Sequence, residues 1–156
     1  MKRLLALLLA LALTVSLLGC GVVPLEDPGH VPEVQQSQPE LLDEEGWYYS
    51  AEDVSLYLCT YGCLPENFIT KNEARDLGWE GGSVEEYAPG CAIGGDKFAN
   101  REGLLPKADG RQYYECDIDT NGKTSRGAKR IVYSNDGLIY YTEDHYESFV
   151  LLYGEE

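Results

Sequence analysis

Tyr113-Tyr114-Glu115-Cys116-Asp117-Ile118 is the stretch that decides the fold. It is followed by Ile131-Val132-Tyr133-Ser134, a turn at Asn135-Asp136-Gly137, and a further run Leu138-Ile139-Tyr140-Tyr141. Aromatic and β-branched runs bounded by turn residues read as strands, and Asn-Asp-Gly between two of them reads as a hairpin. Side chains alternate between the two faces of a strand. Glu115 therefore shares a face with Asp117, while Tyr114, Cys116 and Ile118 face a core. Arg130, four residues after Arg126, falls on the face opposite to Ile131 and Tyr133. Asp144-His145-Tyr146 follows the second hairpin strand. A carboxylate, two guanidiniums and an imidazole are thus expected on one sheet face. Phosphoryl chemistry needs such parts: a base, an acid, and fixed cations for a phosphate. The competing reading is a solvated ladder of Arg–Glu pairs with a structural histidine.

Working outward, Ser50 with Asp53 reads as an N-cap, and Val54, Tyr57, Leu58 and Tyr61 follow at helical spacing before Gly62. Thr70 and Glu73 form a second capping box, for a helix that stops at Gly78 and carries Lys71 at its first position. A lysine at the positive end of a helix would reinforce an anion site there; its ordinary reading is a solvated surface lysine. Ser83 and Glu86 predict a short third helix before Pro89. About five strands are expected, at 92–98, 111–118, 129–134, 138–142 and 147–152. Helices first and strands afterwards imply an α+β fold with an antiparallel sheet of about five strands.

The N-terminus reads differently. Met1-Lys2-Arg3 precedes an uncharged apolar run, Leu4 to Leu18, that is short for a membrane span. Gly19-Cys20 after it resembles a lipoprotein processing site, which makes Cys20 a candidate for lipidation and the first mature residue; the alternative is an ordinary secretory signal over 1–19. Either reading means export, with a membrane contacted only through a lipid anchor. Residues 20–46 hold four prolines, three glutamines and seven acids and are expected to be a disordered linker. His30 lies in it, outside any expected chemistry. The compact domain is then 47–156, expected to be a monomer.

The whole chain carries a net charge of −15. The segment 47–156 has ten Lys or Arg against twenty Asp or Glu, about −10. That excludes a generic nucleic-acid binder, whose affinity comes from basic surface. Cys59, Cys63, Cys91 and Cys116 remain after Cys20. Four cysteines in an exported domain favour disulfides and allow three connectivities. No histidine clusters with them, so a metal site is the lesser alternative, and no cofactor is expected.

Several motifs resemble the microbial guanyl-specific ribonucleases, in order over roughly residues 47–153. They include Leu64-Pro65-Glu66-Asn67-Phe68-Ile69-Thr70-Lys71, Leu77-Gly78-Trp79, Ile93-Gly94-Gly95-Asp96, Phe98-Ala99-Asn100-Arg101-Glu102-Gly103, Glu115-Cys116-Asp117-Ile118 and Thr142-Glu143-Asp144-His145-Tyr146. The resemblance implies the microbial ribonuclease fold and cleavage of single-stranded RNA after guanine. It implies Glu115 as general base, His145 as general acid, and Arg126, Arg130 and Lys71 as phosphate cations. Asn100 would shape the base-binding loop, Glu102 would accept from guanine N–H groups, Arg101 and Phe98 would lie near the base, and Tyr146 would hold the phosphate or stack. Asp117 would orient the two arginines. Cys91 and Cys116 sit near two strands that are neighbours in the resembled fold, and Cys59 and Cys63 are close in sequence at a helix end, which favours the pairings Cys91–Cys116 and Cys59–Cys63. The resemblance also implies a small intracellular inhibitor of barstar type as a possible partner; the domain's acidity argues against such a partner. The chain departs from the family pattern in a slightly longer Glu115–Arg126 segment, a shorter loop after Trp79, and at Ala99 and Gly137. The rival class is a catalytically inactive surface-binding module on a lipoprotein stalk. It would lack an acid or a base, and this sequence keeps both.

Overall fold

The computed structural model describes residues 41–155. The leader, the Cys20 site and most of the expected linker lie outside them. Helix α1 spans Ala51–Tyr61; the Ser50 side chain accepts from the Asp53 amide, and Gly62 closes the helix in the left-handed region. Its buried residues Val54 and Leu58 pack on Cys116, Ile118, Ile131 and Ile139, which cover one sheet face. At the other end of the same helix side, three tyrosines bind backbone. Tyr61, Tyr48 and Tyr57 donate their hydroxyls to the carbonyls of Leu42, Asp43 and Glu44, at 2.5, 3.0 and 2.8 Å. Ordered chain therefore reaches into the acidic segment ahead of Trp47.

The sheet has six strands in sequence order: β1 Phe68–Ile69, β2 Ala92–Phe98, β3 Tyr113–Asp117, β4 Arg130–Ser134, β5 Ile139–Thr142 and β6 Val150–Tyr153. β1 runs parallel to β2, and every other pair is antiparallel. The expected α+β class holds, and the sequence pattern missed only β1. Two residues are too few to show alternation. What fixes β1 is the buried Asn67 before it, which trades hydrogen bonds with both backbone groups of Tyr48. The Asn135-Asp136-Gly137 hairpin forms as expected, with the Ser134 amide donating to Leu138 O at 2.8 Å.

Strand β2 carries a bulge between Gly94 and Asp96. Gly95 supplies it at φ +90, and a Cβ on Gly94 would sit 2.7 Å from Cys116 Cβ, so both positions need glycine. The bulge re-aims Asp96, whose Oδ2 accepts from the Lys71 amide at 2.9 Å. Helix α2, Lys71–Asp76, has the expected capping box between Thr70 and Glu73.

Two expectations are corrected. Residues 83–88 form a single turn, not a third helix: the amides of Tyr87 and Ala88 both donate to Val84 O. Gly81 and Gly82 ahead of it, both at positive φ, and Pro89 behind leave no room to propagate beyond nucleation. The Ser83 hydroxyl instead ties the loop at Lys123 O, 2.7 Å away. The four cysteines are free thiols, so neither Cys91–Cys116 nor Cys59–Cys63 is bonded. Cys116 faces α1 in one hydrophobic cluster, and Cys91 packs beside Trp79, Val84 and Ile93 in another. Cys59 and Cys63 stand exposed on either side of the Gly62 cap.

Candidate active site

The face opposite α1 holds the site. Asp117 is in register with Arg130, and Arg130 with Thr142, so three polar residues cross β3, β4 and β5 in one row. Below them Tyr113, Val132, Leu138, Tyr140 and Leu105 form an apolar floor, with Phe98, Tyr146 and Phe149 packed on it.

Asp117 is 2% exposed and takes Arg126 at two points, Nε to Oδ2 at 2.6 Å and Nη2 to Oδ1 at 2.8 Å. Arg130 Nε lies 2.8 Å from the same Oδ1, but out of line for a hydrogen bond, so that contact is ionic. Arg130 Nη1 donates to Lys129 O at 2.7 Å and Arg126 O at 3.3 Å. The Arg126 guanidinium also stands 5.8 Å from the centre of the Trp79 ring, within cation–π range. Burial alone would weaken the Arg126 charge; the Asp117 pair more than restores it.

Glu115, one alternation along β3, is 8% exposed. Lys71 Nζ reaches its Oε1 at 2.5 Å, and the Tyr146 hydroxyl donates to its Oε2. Burial opposes ionisation of Glu115. The hydrogen bonds from Lys71 and Tyr146, with the charges of Lys71 and Arg126, outweigh it and hold the carboxyl below its usual range. Burial and the adjacent Glu115 carboxylate push the Tyr146 hydroxyl upward, so it stays a proton donor. Lys71 thus spans from α2 to β3. At the start of α2 the Lys71 amide donates to Asp96, and Glu73 returns to the Thr70 amide.

His145 is exposed, at φ 57, with its amide donating to Ala128 O at 3.2 Å and its ring 4.7 Å from that of Tyr146. Phe98 also stacks on Tyr146, their ring centres 5.2 Å apart. Asn100 is buried at φ 44; its side chain donates to Leu105 O at 2.8 Å and accepts from the Leu105 amide at 3.1 Å. That pair closes the 100–105 loop and leaves Arg101 and Glu102 exposed on it. Lys71 and Tyr146 therefore meet Glu115 directly, and Arg126 and Arg130 meet on Asp117 one alternation along the strand. His145 joins them through Tyr146, and the Arg101–Glu102 loop joins them through Phe98. Sequence reasoning did not single out Asp96, Trp79 as a support for Arg126, or Asp144. Only Asp144 left a local signal, an Asp set between Thr142 and Ser148, the spacing of a side-chain-capped turn.

Lys71→Met should therefore shift the acid limb of kcat/KM to higher pH, because Glu115 loses the donor that favours its ionised form. The depressed pKa of Glu115 also contributes stability that is present above its unfolded value and lost as pH falls through its folded value. In the variant the folded value rises toward the unfolded one, so that loss should be smaller and should end at higher pH. A pH–rate profile and acid melts read both shifts, and kcat should drop by about 10²–10³ on the scale of a lost transition-state donor.

One carboxylate paired to an ammonium, beside a second paired to two guanidiniums, gathers the fixed charges that a phosphate-directed site needs. The profile of the ribonuclease family matches residues 52–153. A ribonuclease of Bacillus intermedius is 39% identical over 160 residues, covering 96% of this chain and 98% of the relative. A ribonuclease of Heyndrickxia coagulans is 52% identical over 101 residues, 63% of this chain and 91% of its own. Guanyl-specific ribonuclease Sa3 of Kitasatospora aureofaciens is 38% identical over 90 residues, 57% of this chain and 58% of its own. The chain belongs to the ribonuclease family.

Proposed function

We propose that the protein is an exported endoribonuclease that cleaves single-stranded RNA on the 3′ side of guanosine. The observation that carries the mechanism is Glu115 held between Lys71 and Tyr146, next to the Asp117-bound arginines. Glu115 takes the proton of the 2′-OH. The freed O2′ attacks phosphorus, the P–O5′ bond breaks, and protonated His145 gives its proton to the leaving O5′. The product is a 2′,3′-cyclic phosphate. Water, with the two roles reversed, opens it to a 3′-phosphate.

The charge inventory favours this direction. Lys71, Arg126 and Arg130 face Glu115 and Asp117, an excess of one positive charge. When Glu115 accepts the proton its negative charge is gone, and the excess becomes two as the phosphorane gains charge. The field is thus strongest where the transition state needs it. A local cation cluster can attract a phosphodiester even on a domain of about −10, and that attraction should weaken steeply with salt. Glu102, exposed on the Asn100-braced loop, can accept from two adjacent guanine N–H groups with its two oxygens. Export rests on the leader-like 1–19 and Cys20, which would place the enzyme outside the cell, free or lipid-anchored.

The test is turnover of GpU against ApU by the purified protein, with deoxy-GpU and His145→Ala as controls. Expected are GpU converted to guanosine 2′,3′-cyclic phosphate, slower ApU, no turnover of deoxy-GpU, and a rate on GpU lowered by about 10²–10⁴ in His145→Ala. Glu102→Ala should narrow the GpU-to-ApU ratio more than it lowers the rate on ApU. No turnover of GpU by the folded protein would sink the enzyme reading and favour a binding module; equal rates on GpU and ApU would remove the guanine preference alone.

A further inference from the structure

We propose that Asp144 is a positioning residue of the active site, whose carboxylate clamps the chain on both sides of His145 and Tyr146 so that the imidazole is held at the leaving oxygen. The proposal rests on the reading of His145 as the general acid.

The need for a clamp comes from the backbone. His145 and Tyr146 have φ 57 and φ 76, two consecutive left-handed residues with large side chains. Such conformations are strained for residues with large side chains and persist only where surrounding contacts over-determine them. The reversal they make has a use. It leaves the His145 ring exposed, and it turns the next side chain inward, where the Tyr146 hydroxyl binds the base Glu115. Acid and base are thereby linked by adjacent residues.

The contacts that over-determine this turn converge on Asp144. Its Oδ1 accepts from Thr142 Oγ1 at 2.8 Å, ahead of the pair, and from the amides of Glu147 and Ser148 at 3.0 and 2.9 Å, behind it. Its Oδ2 accepts from Ser148 Oγ at 2.5 Å. Thr142, 1% exposed at the end of β5, completes the ring, because its Oγ1 also accepts from the Tyr146 amide at 3.0 Å. The carboxylate thus ties the fixed end of a strand to the far side of the turn. Both its oxygens are committed to donors within the loop, which leaves it no part in moving a substrate proton. The Ser148 and Thr142 hydrogen bonds hold its carboxyl down at about 2, so the clamp stays charged wherever the enzyme can work.

The test separates positioning from folding by the leaving group. Guanosine 3′-(4-nitrophenyl phosphate) expels a stable phenolate and needs little help from an acid, whereas GpU expels an alkoxide and needs it. Asp144→Ala should lower kcat on GpU by about 10²-fold, the scale of an ångström of misplacement, with KM little changed and with little loss on the nitrophenyl ester. Asp144→Asn keeps the Oδ1 acceptor but loses the Oδ2 one that takes the Ser148 hydroxyl, so its loss should be smaller, severalfold, and still confined to GpU; it serves as the readout if the alanine variant folds poorly. Equal losses on both esters, or no loss on GpU, would overturn the proposal. His145→Ala run beside them separates the two readings: if it shows no selective loss on GpU, the acid assignment itself fails.

Discussion

Glu115→Gln is expected to lower kcat on GpU by about 10²–10⁴, and His145→Ala to do the same. The two losses arise differently. Glutamine fills the space of Glu115 but presents an amide N–H₂ to one of two donors, Lys71 Nζ and the Tyr146 hydroxyl, which both point at the carboxylate now. It also removes the negative charge that offsets the cation cluster. Substrate phosphate should then bind at least as tightly while the chemical step fails, so KM should hold or fall as kcat collapses. His145 differs, because its ring is exposed and lies against that of Tyr146. Its removal should leave stability within about 0.5 kcal/mol. In the proposed mechanism acid and base act in one transition state, so the double variant should lose much less than the product of the single losses. Steady-state rates with thermal melts of all three proteins check this. A double loss equal to the product would mean that the two residues do not share a step.

How far the sequence could be read depended on the range of each interaction. The strand alternation that puts Glu115 and Asp117 on one face is local, and β3 formed with that face toward the site. The capping box at Thr70 and the left-handed Gly62 are also local, and both formed. The third helix had a cap signal but not enough length between glycine and proline to become a helix. Strand β1 is fixed by Asn67 reaching back to Tyr48, nineteen residues away, which no periodicity encodes. The same limit applies within the site. Lys71 could be placed at a helix start from its neighbours, but its target across the fold could not, because that contact spans 44 residues. The position of Trp79 against Arg126 and of Asp96 under the Lys71 amide are likewise products of packing between distant segments. The cysteine pairing failed for a related reason: an even count says that bridges are possible, while geometry between two separate clusters decides that Cys91 and Cys116 do not meet.

Asp117→Asn should be the most destabilising single change in the site. Asp117 and Arg130 are buried, their side chains 2% and 3% exposed, and Arg126 is 22% exposed. Removing the shared carboxylate charge leaves Arg130 buried with backbone carbonyls as its main partners and Arg126 without its two-point anchor. Breaking one partner out of a buried ion pair costs about 3–5 kcal/mol, a large share of a typical total of about 5–15 kcal/mol. At roughly 4–8 °C per kcal/mol for a domain near 100 residues, Tm should fall by upwards of about 12 °C. Activity should fall as well, at temperatures where the variant remains folded, because both guanidiniums lose their aim at the phosphate. A second variant separates the two effects. Asp117→Leu with Arg130→Met replaces the buried pair by apolar groups, a kind of exchange that is often neutral or stabilising. It should regain much of the lost Tm and none of the lost activity. If the double variant recovers activity together with stability, Arg130 is a structural residue and the phosphate is held by Lys71 and Arg126 alone. If it recovers neither, the apolar pair has not packed, and Asp117→Asn alone, melted in urea and assayed below its transition, carries the comparison.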